Sequence, residues 1–333
     1  MAADNPHRPV LEPVADGKPR PRWSVMVPAY NCSRHLAETL ESILAQDPGP
    51  ELMQIEVVDD ASDDGPEEIV ADVAPGRVQL YRQPRNVGAA NNFNTCVARA
   101  RGEIVHLLHG DDWVRPGFYA ALERGFAEAG TGAAFCRYIG ADEEGHWHTL
   151  APLERRSPGI IPDWLDRIGE GQRLQTPCMA VRRAVYEDVG GFDSRLDGCE
   201  DWEMWVRIAA RYRVWYEPEP LAVYRVHSSS LSGGQLRTGQ NVRQLRRAVE
   251  LNRAFLPPER EQKISRAARA AIAGAALRRA RRLVDAGDAR GMWAQTREAW
   301  GTDRSIELAV RTIILAAHLA RRVFRRRTGT LSE

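Results

Sequence analysis

The sequence of 333 residues is 43% hydrophobic and 27% charged, which is ordinary for a soluble globular protein and argues against a fibrous or wholly disordered chain. Its length suits one large domain with extensions, or two domains. The five cysteines are scattered and never spaced C-x-x-C, which argues against a zinc site or a disulfide framework and indicates a reducing compartment.

The net charge of +1 hides a difference between two parts of the chain. Residues 241–333 hold 21 basic and 9 acidic side chains, a net charge of +12, whereas residues 1–240 carry −11. We therefore expect the two parts to face different partners. The first residues contain no apolar stretch of the signal-peptide kind and no run of 18 uncharged apolar residues occurs, so we expect a cytoplasmic protein.

Strands and helices alternate from Trp23 onwards, after a segment (1–21) whose prolines and charges predict disorder. The spacing of apolar residues predicts strands at 23–31, 52–60, 78–82 and 103–108 and helices at 35–46, 66–73 and 88–101. We expect Pro28 to halt the first strand. This order is typical of βαβ units, so the predicted fold is α/β, with a Rossmann-like, mainly parallel sheet flanked by helices.

The remaining chain divides into an aromatic-rich block and a helical extension. The block spans about 134–227 and is rich in tryptophan, whereas the sequence after about 240 reads as Ala/Arg-rich helix without strand-like segments. We therefore expect one α/β domain over 22–235 and a basic helical region over 236–333.

Polar side chains follow three of the predicted strands, at Pro28-Ala29-Tyr30-Asn31, at Asp59-Asp60 and at His109-Gly110-Asp111-Asp112. Parallel sheets of this kind bind ligands beyond the carboxyl ends of their strands. Adjacent carboxylates repel each other, so the Asp111–Asp112 pair indicates a nearby metal ion or basic side chain. The alternative is a polar turn, because Gly-Asp-Asp is also ordinary turn chemistry.

The order of seven motifs between residues 22 and 230 resembles the family 2 glycosyltransferases of the GT-A fold. The motifs are V-M-V-P-A-Y-N, V-V-D-D-A-S-D-D-G, R-N-V-G-A-A-N-N-F-N, H-G-D-D-W, G-G-F-D, C-E-D-W and Y-R-V-H. The resemblance implies a nucleotide-sugar donor bound by Pro28, Tyr30, Asp60, Arg85 and Asp111. In this family Tyr30 would stack on the nucleobase, Asp60 would accept a hydrogen bond from a pyrimidine, and Arg85 would reach phosphate or ribose. The structural alternatives are a loop aromatic for Tyr30, a turn cap for Asp60 and a helix entry for Arg85.

The H-G-D-D motif occupies the position of the family's D-x-D-D motif, with His109 in place of the first aspartate. The resemblance implies that Asp112 and Asp111 bind Mn²⁺ or Mg²⁺, which offsets the charge of the leaving nucleoside diphosphate, with ribose as a second partner open to Asp111. His227 in Y-R-V-H matches a position that is a metal ligand in some members, and a structural role remains equally open for it.

The C-E-D-W motif matches the family's E-D pair, which implies that Asp201 is the catalytic base of an in-line displacement with inversion. Glu200 and Trp202 would then lie on the acceptor side. A helix start is the alternative for Asp201, and core packing is the alternative for Trp202.

Residues 305–327 predict an amphipathic helix, with Glu307, Arg311, His318, Arg322 and Arg325 on one face. Such a helix with a terminal arginine cluster indicates peripheral contact with the anionic inner face of the cell membrane. The alternative is a helix packed on the catalytic domain with its arginines in solvent. We find no nucleic-acid-binding motif and expect no nucleic-acid partner.

Together these features predict an inverting, metal-dependent glycosyltransferase that moves a sugar, most simply from a UDP-sugar, to a glycan or lipid-linked acceptor in cell-surface polysaccharide or glycolipid assembly. One rival is a nucleotidyltransferase, but P-A-Y-N-C-S is not the glycine-rich basic loop which that class carries after its first strand. A second rival is a catalytically inactive sugar-nucleotide-binding scaffold, which the change to His109 keeps open.

Overall fold

The computed structural model describes residues 5–15, 20–226 and 231–329. The chain forms two compact units, the first made of Met1–Ile168 and Gln172–His227 and the second of Gly169–Gly171 and Ser228–Glu333. The predicted division between 22–235 and 236–333 stays a prediction.

The first unit contains all ten strands of the described chain. They are β1 (Trp23–Ala29), β2 (Met53–Asp59), β3 (Gln79–Arg82), β4 (Ile104–Leu107), β5 (Trp113–Val114), β6 (Thr131–Ala141), β7 (Trp147–Leu150), β8 (Gly159–Ile160), β9 (Met179–Arg182) and β10 (Arg213–Arg225). Its helices are α1 (Ser33–Leu44), α2 (Pro66–Val73), α3 (Ala89–Arg99), α4 (Phe118–Ala127), α5 (Trp164–Gly169), α6 (Arg183–Val189) and α7 (Glu200–Ala209). The last residue of α5 belongs to the second unit.

The strands form one sheet in the order β3-β2-β1-β4-β9-β6-β10-β5, with β7 beside β6 and β8 beside β10. The longest pairings, β1 with β2 and β6 with β10, are parallel, whereas β9 joins β4 and β6 in antiparallel fashion. Every residue of β1 and β2 is buried, as expected for strands covered on both faces. The predicted α/β class with a mainly parallel sheet flanked by helices is confirmed.

The first strand continues one residue past Pro28, so the prediction that Pro28 halts it is wrong. A proline inside a strand removes one ladder donor. In β1 that donor would face β4, but the paired register with β4 ends at Met26. No β4 residue therefore needs the missing N–H group, and Pro28 is tolerated.

Within the segment 1–21, for which disorder is predicted, the structure describes residues 5–15 and places them on the first unit. Pro9 O accepts a hydrogen bond from Gly191 N at 2.8 Å. The Arg8 guanidinium lies 2.9 Å from Asp193 and 2.8 Å from Glu203, two fully buried carboxylates. Composition gave no hint of this contact, because the partners that order the segment are supplied by residues far along the chain.

The second unit is helical. It contains α8 (Leu231–Thr238), α9 (Gln240–Asn252), α10 (Pro258–Ala286), α11 (Ala289–Thr302) and α12 (Ile306–Gly329). α10 begins with Pro258 at its first position and acids in its first turn, and Asp288 caps α11 by accepting from Gly291 N at 2.8 Å. Among the helices that the structure describes, none has the length and apolar character needed to cross a bilayer.

Candidate active site

Three strand ends meet at one edge of the sheet. β1 lies between β2 and β4 and all three run in the same direction, so their carboxyl ends share that edge. Two backbone hydrogen bonds tie the following loops to β1. Asp60 N donates to Ala29 O at 2.9 Å, and Gly110 N donates to Pro28 O at 3.0 Å. The polar residues that follow these strands in the sequence are therefore neighbours in space.

Tyr30 is half-exposed at this edge, with 52% of its surface open to solvent. The next residue, Asn31, has a φ of +50°, a conformation that asparagine tolerates better than most residues. Two hydrogen bonds hold it there: Asn31 N donates to Ser62 Oγ at 2.9 Å, and Asn31 Oδ1 accepts from Asp63 N at 2.9 Å. The first two loops are thereby joined, and the Tyr30 ring keeps a free face for stacking.

Asp60 is buried and fixes the loop that carries Arg85. Its two carboxylate oxygens accept hydrogen bonds from Val87 N at 2.7 Å and Gly88 N at 3.0 Å. Burial raises the pKa of Asp60, and the two N–H donors oppose that rise. Arg85 is exposed and lines a cavity of about 690 Å³ together with Asn86 and part of the N-terminal segment. The sequence analysis predicts that Asp60 contacts the nucleobase. The structure shows in addition that Asp60 holds the loop after β3 in place.

His109, Asp111 and Asp112 form a cluster at the end of β4. One ligand atom of each lies within 4.8 Å of the other two. Asp112 is fully buried; its Oδ1 accepts from Arg225 N at 2.8 Å, and its Oδ2 lies 3.3 Å from His109 Nδ1. The His109 ring stacks on Phe93 with centroids 5.3 Å apart and planes at 18°. The histidine is therefore held on one side by an aromatic ring and on the other by a carboxylate.

The charges of this cluster shift its pKa values. Burial alone would lower the pKa of His109, but the adjacent carboxylate of Asp112, with the charges of Asp111 and Asp201, outweighs it and raises the pKa to about 9. Burial and the charge of Asp111 raise the pKa of Asp112 to about 6 against the effect of His109. The pair is thus an imidazolium and a carboxylate at neutral pH, and His109 lies in the field of Asp201.

The donor set of the cluster fits a divalent cation. Two of its buried atoms, His109 Nε2 and Asp112 Oδ2, have no hydrogen-bond partner within the described part of the chain. Two carboxylates and one imidazole suit Mn²⁺, whereas Mg²⁺ prefers oxygen ligands alone. His109 can bind a cation through Nε2 only after that nitrogen loses its proton. The sequence prediction named Asp111 and Asp112 but did not consider His109 as a ligand, although H-G-D-D contained the signal. His227, the third predicted ligand, lies outside the described residues.

Asp201 is nearly buried at the start of α7. Its Oδ2 accepts hydrogen bonds from Gln172 Nε2 at 2.9 Å and Thr176 Oγ1 at 3.2 Å, and its Oδ1 accepts from Trp202 N at 2.7 Å. Burial raises its pKa, while these donors and the charge of His109 oppose the rise. The carboxylate is thus held at three points by hydrogen bonds. No motif in the sequence identified Gln172 or Thr176.

Trp202 is buried in the structure, although its contact with an acceptor stays a prediction. Its ring is fully buried and its Nε1 donates to Ile168 O at 2.7 Å. This burial agrees with core packing, the alternative that the sequence left open. Glu200 Oε2 accepts from Gly198 N at 2.7 Å and Cys199 N at 2.9 Å, and burial raises its pKa to about 7. Its contact with an acceptor stays a prediction.

Arg225 is a further residue of the site that sequence reasoning missed. Its side chain is almost fully buried and donates to Asp111 O at 2.9 Å and Glu143 O at 2.8 Å, and it pairs with Glu38. Its guanidinium lies 4.5 Å from the centroid of the Trp113 ring. Arg225 therefore ties the turn that carries Asp111 and Asp112 to α1 and to the connection between β6 and β7.

Comparisons with known proteins found similar sequences and similar structures. Residues 24–190 match the sequence family described as Glycosyl transferase family 2. An uncharacterized protein of Mycobacterium tuberculosis (strain CDC 1551 / Oshkosh) is 30% identical over 234 residues, which cover 67% of this chain and 73% of that protein.

Two solved structures are similar in fold. S. aureus TarS 1-349 in complex with UDP has a TM-score of 0.61 at 17% identity, covering 90% of this chain and 88% of that chain. Mannosyltransferase PcManGT from Pyrobaculum calidifontis, in complex with GDP-Man and Mn²⁺, has a TM-score of 0.57 at 21% identity, covering 96% and 86%. At these identities the likeness shows the fold.

Proposed function

The chain belongs to glycosyl transferase family 2 and is a glycosyltransferase, and from this premise we propose that it moves one sugar from a UDP-sugar to an acceptor hydroxyl with inversion at the anomeric carbon. The observation that carries the proposal is the position of Asp201. Its carboxylate is buried and held by Gln172 and Thr176, and its charge acts on His109 beside the Asp111–Asp112 pair. In this proposal the base and the residues that receive the diphosphate would share one site.

In the proposed reaction Asp201 takes the proton of the acceptor hydroxyl while that oxygen attacks the anomeric carbon. The bond from this carbon to the diphosphate oxygen breaks on the opposite face, and UDP leaves. General-base help of this kind is typically worth about 10²–10⁴-fold in rate. The raised pKa of Asp201 makes its carboxylate a stronger base, and its three hydrogen bonds keep it pointing in one direction.

Asp111, Asp112 and His109 would hold Mn²⁺, or Mg²⁺ on the two carboxylates alone, with His227 as the further ligand that the sequence predicts. Such a cation supplies positive charge that stabilises the departing diphosphate. The Pyrobaculum calidifontis mannosyltransferase, whose structure contains Mn²⁺, supports this assignment. Arg225 keeps the Asp111–Asp112 turn in place from behind.

The donor would lie along the rim, with its base on Tyr30, its pyrimidine edge at Asp60 and its ribose or phosphates near Arg85 and Asp111. The UDP complex of S. aureus TarS supports a uridine nucleotide. We propose a glycan or a lipid-linked glycan as acceptor, in the assembly of cell-surface polysaccharide or glycolipid at the inner face of the cell membrane.

A catalytically inactive scaffold that only binds sugar nucleotides is the alternative. The presence of both Asp201 and Asp112, each buried and each positioned by its own hydrogen bonds, argues against it.

The test is a calorimetric titration of UDP, GDP and dTDP into the protein, with Mn²⁺ and again with chelator. We expect UDP to bind in the presence of Mn²⁺ and to bind much more weakly with chelator. Preference for GDP would replace the donor but keep the reaction class. Absence of binding by any nucleotide to folded protein in the presence of Mn²⁺ would overturn the proposal.

A further inference from the structure

Helix α12 has two apolar faces, of which one packs within the second unit. Leu308 and Leu315, seven residues apart, are 2% and 7% exposed. On the same side of the helix, His318 Nε2 lies 2.7 Å from Asp285 Oδ1 on α10. The sequence placed His318 on the polar face of the helix, and in the structure its ring contacts α10. The packed face is therefore occupied, and the opposite side of α12 faces outwards.

The opposite side of α12 carries four large apolar side chains that face solvent. Ile306 is 85% exposed, Val310 51%, Ile313 68% and Ile314 57%. Their spacing places them in one stripe along the helix, which we call the outer stripe. They make up four of the twelve exposed large apolar residues in the described chain. Single exposed apolar residues are normal on a soluble protein, but a continuous stripe on one helix indicates a partner.

The charges beside the outer stripe indicate what kind of partner it has. Arg304, Arg311 and Arg321 are exposed next to it, and Glu307, which pairs with Arg311 at 2.6 Å, is the acid among them. The sequence adds four more arginines in the stretch 322–327. The partner should therefore be apolar at its centre and negatively charged at its margin. A second copy of this chain fits poorly, because two outer stripes brought face to face would also bring their arginines together.

We propose that the outer stripe of α12 binds an anionic lipid surface, with the helix lying in the plane of the membrane. The isoleucine and valine side chains would enter the boundary between headgroups and acyl chains, and the arginines would pair with lipid phosphates. α12 lies flat because its exposed apolar residues form a stripe along it, and it is not apolar enough to span. This contact is independent of the donor site, so it does not depend on which sugar is transferred.

The test is flotation of the full chain with vesicles. The probes are vesicles of phosphatidylcholine alone and vesicles of phosphatidylcholine and phosphatidylglycerol in equal amounts. We expect the protein to float with the anionic vesicles and not with the neutral ones, and high salt to reduce the bound fraction. The triple variant Ile306→Ser, Val310→Ser, Ile313→Ser should lower the partition coefficient by at least roughly tenfold, since each buried aliphatic side chain adds to binding.

A matched control removes equal apolar bulk elsewhere. Leu52, Leu150 and Leu153 are 51%, 50% and 52% exposed and lie outside α12, so changing them to serine should leave flotation unaltered. A second variant, Arg304→Gln, Arg311→Gln, Arg321→Gln, changes exposed residues only and should weaken binding to anionic vesicles even if the serine variant misfolds. Circular dichroism melting checks the fold of each variant.

Three results would overturn the proposal. They are failure of the full chain to float with anionic vesicles, equal flotation of the serine variant and its leucine control, and unchanged flotation of the glutamine variant. A concentration-dependent dimer that the serine variant abolishes, seen by light scattering without lipid, would assign the outer stripe to a second copy instead.

Discussion

His109 Nδ1 lies 3.3 Å from Asp112 Oδ2, so the residue that replaces the first acid of the D-x-D-D pattern is the ion-pair partner of its last acid. A protonated imidazole can neutralise one buried carboxylate of this cluster. Because His109 can bind a cation only after it loses a proton, we expect cation binding at this cluster to depend on pH as well as on the two aspartates.

The ion pair predicts how stability changes with pH. The pKa of His109 is raised from 6.5 to about 9, so its stabilising effect is fully present below pH 6.5 and is lost as the pH rises through 9. We expect the free energy of unfolding to fall by on the order of 2 kcal/mol over this window, a value reduced because 24% of the His109 side chain is exposed. Urea titrations at pH 6.5 and at a pH above 9 measure the free energy of unfolding at the two ends of this window.

His109→Gln should remove most of this pH dependence. His146→Gln is the matched control, because His146 is an exposed histidine beside an aspartate and should leave the slope as it is in the wild type. Equal slopes in the wild type and His109→Gln would contradict the prediction.

Asp112→Asn should abolish the dependence of UDP binding on Mn²⁺. The amide cannot supply an anionic ligand, while the hydrogen bond from Arg225 N can still reach its oxygen, so the fold should survive. Calorimetric titration of UDP with and without Mn²⁺ measures the effect. The exposed Asp72 on α2 provides the control substitution Asp72→Asn, which should behave as the wild type. Retained metal dependence in Asp112→Asn would mean that Asp112 is not a ligand.

Asp201→Asn should lower kcat by about 10²–10⁴-fold while the affinity for UDP stays within roughly twofold of the wild type. The amide keeps the size of the side chain but cannot take a proton from the acceptor. Turnover assays and UDP titration measure the two quantities separately. A variant with normal turnover would remove Asp201 from the reaction.

Thr176→Val should reduce kcat roughly tenfold with little change in KM for the donor, because the hydroxyl hydrogen bond to Asp201 is lost while the shape is kept. This hydrogen bond lowers the pKa of Asp201, so its removal should also move the acid limb of the kcat–pH profile to higher pH. Thr176→Ser keeps the hydroxyl and should restore both. If valine and serine act alike, Thr176 has only a packing role.

Arg225→Met should lower the free energy of unfolding by roughly 2–4 kcal/mol, because it removes a buried guanidinium that donates to the partly buried carbonyl oxygens of Asp111 and Glu143. Urea denaturation measures this. Arg34→Met is the control: Arg34 also pairs with Glu143, but its side chain is 66% exposed and its loss should cost only about 0–1 kcal/mol. Equal losses in the free energy of unfolding for the two variants would show that burial does not set the strength of the Arg225 contacts.

Much of the fold could be predicted because its elements are local. Each of the seven strands and helices predicted between residues 23 and 108 is present with bounds shifted by at most two residues, and α2 (Pro66–Val73) has the predicted bounds. Burial on two faces gives β1 and β2 continuous apolar runs, and the proline and acids of α2 satisfy a helix start without any distant partner. The meeting of Asp60 and Asp112 at one rim followed from the parallel direction of the strands.

The contacts that position the reacting groups could not be predicted from the sequence. Gln172 and Thr176 lie 29 and 25 residues before Asp201, and Arg225 lies 113 residues after Asp112. Each pair meets only because separate strands and helices pack against one another. A single glutamine, threonine or arginine carries no local sequence pattern that shows which distant residue it will contact.

The sequence by itself determined which elements form, which edge of the sheet is acidic and which family the chain resembles, because periodicity and motif order are properties of neighbouring residues. Only the tertiary structure decided that Trp202 is buried, that His109 pairs with Asp112, that the N-terminal residues lie on the first unit and that α12 keeps an apolar stripe outside. Those outcomes depend on which side chains are brought within a few ångströms by packing, and solvent exposure is settled only when every neighbouring element is in place.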